Sequence, residues 1–236
     1  MKLIIDEELR KKYPELRMTI ITAKLSYNNS TNEIDNIITN KFNDFINKNS
    51  DLDNLLNNNS IIEWRETYKS FGINPKKKKP SAEALLTRVI KNNYIPHINP
   101  AVDAYLASET IHCLPIGGYD LEKINGNIYL GISKGEEPFI AIKNDDVELT
   151  KPGEVVYRDD ERILTRCWNY KDCMHSQINN DTRQIALFVE APSKNITNEM
   201  IIETAKDIEQ NLKEFCQANT QMMFIDENLN EIEIKF

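Results

Sequence analysis

No Cys-x-x-Cys pair occurs among the four cysteines, Cys113, Cys167, Cys173 and Cys216, so neither a zinc site nor a disulfide framework is signalled. They read as reduced, mostly buried thiols. No apolar run approaches the ~18 residues of a membrane span, and residues 1–8 lack the apolar stretch of a secretory signal. A cytoplasmic protein with no membrane partner is expected. Positive charge is short as well. The net charge of −8 opposes a broad, non-specific grip on nucleic acid, because such binding comes mainly from neutralising phosphates. A local basic patch stays open. No ATP site is evident, and neither a cofactor nor a metal is expected.

What is present is enough for a folded protein: 236 residues, 40% of them hydrophobic, can bury a substantial core. Leu3, Ile4 and Ile5 and the run at 18–25 are rich in β-branched residues. They read as strands around a short polar helix that ends near Tyr13 and Pro14. The Asn-rich region 28–59 has the composition of a linker. Yet Ile34, Ile37, Ile38, Phe42, Phe45 and Ile46 recur at helical intervals, and Ser30 with Glu33 has capping-box spacing, so a helix is predicted over 31–48. Ser60 with Glu63 repeats that spacing ahead of a helix through Trp64, Arg65 and Tyr68 that stops near Gly72.

Charge then changes abruptly. Lys76, Lys77, Lys78 and Lys79 stand between Pro75 and Pro80, too constrained for a helix. They form either a solvated loop or one that contacts phosphate. Ser81 caps a further helix whose apolar face is Ala82, Leu85, Leu86, Val89 and Ile90, and Arg88 falls off that face. Asn125-Gly126 is a hairpin signal before strands at 128–133 and 139–142, and more strands are predicted at 154–158, 162–168 and 184–190. Thr197 caps a helix with Ile201, Ala205, Ile208, Leu212 and Phe215 on one face, and the tail at 222–225 and 231–236 alternates like a final hairpin. Helices gathered in the first half and near the end, flanking an antiparallel sheet system, make an α+β fold, expected as one structural unit.

Residues 99–120 organise this pattern. Asn99 can cap a helix that opens with Pro100, and Asp103 falls in its first turns. At the far end Pro115, Gly117 and Gly118 allow a sharp bend and a close backbone approach. That is either a tight connection or the wall of a ligand pocket.

Five pieces stand in order: Trp64-Arg65-Glu66-Thr67-Tyr68; residues 80–88; Ile98-Asn99 with Val102-Asp103; residues 114–121; and Arg166-Cys167-Trp168-Asn169. Together they resemble the B3/B4 domain of the phenylalanyl-tRNA synthetase β subunit, particularly its free-standing relatives, over roughly residues 60–192. The resemblance implies an α+β fold with an antiparallel β-sandwich-like core and flanking helices. Residues 60–236 would form the B3/B4-like domain, and residues 1–59 an N-terminal extension packed on it. In the synthetase this domain hydrolyses tyrosine wrongly esterified to phenylalanine tRNA. An aminoacyl-tRNA or amino-acid pocket is therefore implied, but not aminoacylation. The match is incomplete. Tyr105 and Leu106 follow where the family usually continues with a pocket-facing asparagine, Gly117 stands in the place of the synthetase's histidine, and His175 in the place of a glutamate.

Two readings follow. In the first, a trans-editing hydrolase binds the tRNA acceptor end and cleaves a mischarged aromatic ester. Such chemistry needs an oriented water and donors for the developing oxyanion. The amides of Gly117 and Gly118 would be the donors, and His175 would orient or deprotonate the water. Tyr119 and Trp168 would wall an aromatic side chain, while Asn99, Asp103 or Asp120 would receive the ammonium group. Arg166 and Arg88 would hold a terminal phosphate or pair with internal carboxylates such as Glu83 and Asp103, with the four lysines on the tRNA. In the second reading the same pocket binds an amino acid or related small molecule without catalysis.

Overall fold

The apolar run at 18–25 becomes an inner strand, buried on both faces. A computed structural model describes residues 1–49, 51–92, 97–144 and 146–235. The chain begins β1 (Lys2–Ile5), α1 (Glu7–Lys12), β2 (Arg17–Lys24), α2 (Asn32–Lys48), α3 (Leu52–Leu56), α4 (Asn59–Ser70), α5 (Ser81–Asn92), α6 (Pro100–His112) and β3 (Ile116–Asp120). After a 3-10 turn at Leu121–Lys123 come β4 (Ile128–Ile132), β5 (Pro138–Ile140), β6 (Val147–Leu149), β7 (Val155–Arg158), β8 (Ile163–Arg166), β9 (Lys171–Asp172) and β10 (Gln184–Ala191). The chain closes with α7 (Asn198–Cys216), β11 (Asn219–Ile225) and β12 (Glu231–Glu233).

Among the described residues these strands make a six-stranded sheet, β12-β1-β4-β7-β8-β9, a four-stranded sheet, β11-β2-β10-β3, and a β5-β6 ribbon. The β1–β4 pair is parallel and the others are antiparallel. The two large sheets meet through aromatic rings. Tyr119 on β3 and Phe188 on β10 stand 5.9 and 5.4 Å from Tyr157 on β7. α7 covers the far side of the four-stranded sheet against β2 and β10, with α6 beside it. This is the α+β, sandwich-like arrangement expected. β1 and β2 lie inside the two sheets rather than over them, so the first 24 residues are woven into the core.

Local signals misplaced several boundaries. Thr31, not Ser30, caps α2, its hydroxyl accepting from Ile34 N–H at 3.3 Å. Asn58, not Ser60, caps α4, accepting from the Ser60 N–H at 2.8 Å. Each cap competes with a polar neighbour one or two residues away. Asn125-Gly126 does not make a hairpin, because β3 and β4 belong to different sheets. Gly126, at φ +75°, instead lies where a Cβ would come within 1.7 Å of Asp160, so it serves a close approach to the β7–β8 turn. The tail is not a hairpin either. β11 pairs with β2 and β12 with β1, and residues 226–230 carry the chain from one sheet to the other. Phe236, the last residue of that expected hairpin, lies outside the described residues.

Candidate ligand cavity beside strand β3

The start of α6 forms as its sequence dictates. Asn99 accepts from the Val102 N–H at 3.1 Å and donates to the Ile178 carbonyl at 3.2 Å, with Pro100 at the first helical position. Asp103 accepts from the Ile98 N–H at 3.0 Å and lies 3.4 Å from His97 Nδ1. Burial raises its pKa to about 6, against those two partners. Both side chains are enclosed and occupied in building the helix terminus, so neither is free for a ligand's ammonium.

Cys113, left-handed at φ 55°, ends α6, and the chain then becomes a strand where the sequence suggested a bend. Gly117 and Gly118 pair with Phe188 and Leu187 of β10. Gly118 has no room for a side chain, since a Cβ would meet Leu187 Cδ2 at 2.2 Å and the Ala186 carbonyl at 2.6 Å. Gly117 has open space there. β3 is an edge strand, and its N–H groups alternate in direction. Asp120 N–H donates outward to Ser176 O at 3.0 Å, and Ile116 N–H donates to the Glu109 carboxyl. The period of two places the Gly118 N–H on that same outer edge.

Two cavities flank this strand. The inner one, about 30 Å³, is lined by Gly117, Tyr119, Thr165, Trp168, Asn169, Asp172 and Glu190, with Ser81 at its rim. Its polar groups bind mostly to one another. Tyr157 OH donates to Glu190, Trp168 Nε1 donates to the same carboxyl at 3.0 Å, and Tyr119 and Thr165 hydroxyls lie 2.6 Å apart. Burial raises Glu190 to about 7, opposed by its Tyr157 and Trp168 hydrogen bonds. Burial also raises Glu109 to about 8, opposed by Ser81 Oγ at 2.5 Å and the Ile116 N–H. Trp168, at φ +69°, stacks edge-on against Trp64 and Tyr13. It is core and cavity wall at once.

The outer cavity, about 310 Å³, lies between α5, α6, the outer edge of β3 and the segment after β9. Ile98, Val102, Tyr105 and Ile178 give it apolar walls. Gly118 lines it, Arg88 and Lys143 bring positive charge, and Asp172 is shared with the inner cavity. Thr165 Oγ1 donates to Asp172 Oδ1 at 2.6 Å. Asp172 keeps some surface open, but protein atoms crowd its carboxyl group and burial raises its pKa, opposed by the Thr165 hydrogen bond. Ser176 and Gln177 add polar groups to the lining, and a volume of about 310 Å³ is the size of a small-molecule site.

Other expected residues are engaged elsewhere. Asp120 accepts from Thr182 at 2.7 Å and Lys123 at 2.8 Å. Buried Arg166 forks onto Glu154 at 2.7 and 3.0 Å and reaches Glu148 at 3.0 Å, so it is held by internal carboxylates and lines neither cavity. His175 is exposed after β9 and lines neither cavity. The lysine run divides. Lys78 turns inward to Cys167 at 3.3 Å and Glu154 at 3.9 Å, Lys79 lies 3.5 Å from Glu83, and Lys76 and Lys77 are exposed. Arg88 is exposed and lines the outer cavity together with Ile98 and Val102.

The B3/4 domain family matches residues 63–220. The chain belongs to that family. Both cavities are lined wholly within the B3/4 segment, by residues 81–190. Among solved structures, an N-terminal fragment of the phenylalanyl-tRNA synthetase β-subunit from Pyrococcus horikoshii is similar at TM-score 0.48 and 12% identity. The alignment covers 92% of this chain and 49% of that one, so this chain spans about half the fragment's length. No curated protein matches. Among the described residues, no helix of this B3/4 protein is long and apolar enough to cross a membrane, and no cluster of three or more His, Cys, Asp or Glu is placed to hold a metal ion.

Sequence reasoning missed Asp172, Thr165, Tyr105, Lys143 and the buried Glu109 and Glu190. Lys171-Asp172 reads as ordinary surface charge, and only strand pairing of Asp172 with Thr165 brings it to β3. Tyr105 had a signal, since it stands close after Val102-Asp103, where the family places a pocket residue.

Proposed function

We propose that this chain is a trans-acting editing domain that takes the aminoacylated 3′ end of a tRNA into the outer cavity beside Gly118 and hydrolyses the ester. The observation that carries the reading is the cavity itself: about 310 Å³, lined by both apolar and polar side chains, inside the B3/4 segment, with the outward edge of β3 on one side and Arg88 and Lys143 on it. The acyl side chain occupies the apolar walls, the Gly118 N–H meets the oxyanion that develops on the carbonyl oxygen, and the two cations face ribose and phosphate. Water attacks the carbonyl carbon, the ester C–O bond breaks, and the products are the free amino acid and the ribose hydroxyl. An aminoacyl ester is activated enough to need little more than orientation and one donor. His175 has no part in this scheme.

Purified protein should release amino acid from tyrosyl-, meta-tyrosyl- or another noncognate aminoacyl-tRNA faster than buffer or heat-denatured protein. No acceleration across such a panel would contradict the proposal. A second reading, a pocket for a free amino acid, is favoured by the inward engagement of Lys78 and Lys79. Arg88 and Lys143 would then meet the ligand's carboxylate. Stabilisation by free amino acids, without stabilisation by aminoacyl-adenosine, would select it.

A further inference from the structure

Asp172, half-buried, has fewer hydrogen-bond donors than the fully buried acids of the fold. Glu154 is answered by Arg166 and Lys78, Asp120 by Lys123, and Glu83 by Arg65 and Lys79. Glu190 has two neutral donors, and Glu109 has a hydroxyl and a backbone N–H. Asp172 has the Thr165 hydroxyl on Oδ1, and among the described residues no cation lies within ion-pair distance of it. Its orientation is nonetheless fixed, because Thr165 also bonds Tyr119 OH at 2.6 Å. Only Oδ1 has a side-chain donor among the described residues, and Asp172 lines the ligand-sized outer cavity as well as the inner one, so this carboxylate lacks the charge that would offset its desolvation.

We propose that Asp172 anchors the α-ammonium of the ligand in the outer cavity, so that the site selects molecules with a free amine. The inference rests on that cavity being the ligand site, and it holds for an aminoacyl ester or a free amino acid alike. A metal ion is a poor occupant, because the cavity offers no second acidic ligand. Arg88 and Lys143, exposed and lining the same cavity, repel a second cation and give the ligand direction: ammonium toward Asp172, the anionic end toward the two cations, and the hydrophobic side chain against Val102, Tyr105 and Ile178.

The test uses calorimetric titration of the full chain with an amide-linked, non-hydrolysable phenylalanyl-adenosine and with its N-acetyl derivative. The wild-type protein should bind the free amine ~10- to 100-fold more tightly, the scale of a hydrogen bond to a charged group. Asp172→Asn, checked for an unchanged melting temperature, should bind both probes alike at the weaker level. Equal binding of both probes to wild type overturns the anchor while leaving the cavity's assignment intact, and that comparison needs no variant. Retained discrimination in Asp172→Asn overturns it too. Binding of neither probe to wild type overturns the cavity reading and the anchor together.

Discussion

On the inner side of β3, Tyr119, Thr165, Trp168 and Glu190 close around about 30 Å³; on the outer side, Tyr105, Val102 and Ile178 border about 310 Å³. The strand between them is the same, and Asp172 belongs to both. On the inner side the polar groups are mostly paired with one another, and the carboxyl of Glu190 is held by two donors. On the outer side, Arg88, Lys143 and Asp172 have no ion-pair partner among the described residues, and Ile98 is 46% exposed. Paired polar groups in a dense interior fix one structure. Unpaired ones around an open volume are what a ligand would complete. The same contrast separates two arginines that the sequence cannot tell apart, Arg166 locked onto Glu154 and Arg88 exposed by the cavity.

The largest expected effect comes from breaking the locked side of that contrast. Arg166→Met leaves Glu154 buried without its bidentate partner, and chemical denaturation should show a loss of about 3–5 kcal/mol with no change in preference between amine and N-acetyl ligands. A loss under about 1 kcal/mol would mean the pair is effectively solvated. Next, Gly118→Ala forces a methyl onto Leu187 and the Ala186 carbonyl and should cost about 1–3 kcal/mol, whereas Gly117→Ala, which meets open space, should stay within about 1 kcal/mol. Equal effects at the two glycines would contradict the strand geometry.

A pH comparison sharpens the inner side further. Glu109 goes from an ordinary value of 4.5 to about 8 in the folded chain, so the native state holds a proton the unfolded state releases. Its contribution therefore lowers stability as pH rises from about 4.5 to about 8. Glu109→Gln keeps the side chain's shape and should flatten that decline, gaining on the order of 1–3 kcal/mol at pH 8 relative to pH 5. An unaltered slope in urea denaturation at the two pH values would show that Glu109 is ionised in the fold. The smallest stability effect belongs to the open side. Arg88→Ala should change stability by no more than about 0.5 kcal/mol yet weaken tRNA binding and reduce its logarithmic salt slope by about 1. An unchanged slope would remove Arg88 from the tRNA surface.

Long-period signals in the sequence reported the fold well. The apolar stripes of α2, α5 and α7 and the caps Asn99 and Thr197 are where periodicity placed them. What periodicity cannot carry is which strand joins which sheet. Asn125-Gly126 and the tail both read as hairpins because turn chemistry is local, while the choice of sheet is made by partners far away in sequence, such as β1 for β12. Pro115-Ile116-Gly117-Gly118 failed for a related reason. Both glycines pair with β10 in a strand, and of the two only Gly118 has no room for a Cβ against it. The cavity was legible in part, through Gly118, Arg88 and the segment around Val102, but Asp172 becomes visible only once β9 is paired with β8.

A crystal structure of the chain with amide-linked phenylalanyl-adenosine tests the central claim most directly. The account predicts the phenylalanyl group in the outer cavity, its ammonium within hydrogen-bond reach of Asp172 Oδ2 and its carbonyl oxygen facing the Gly118 N–H. Ligand bound against the lysine turn, or held elsewhere with the outer cavity unchanged, would contradict it.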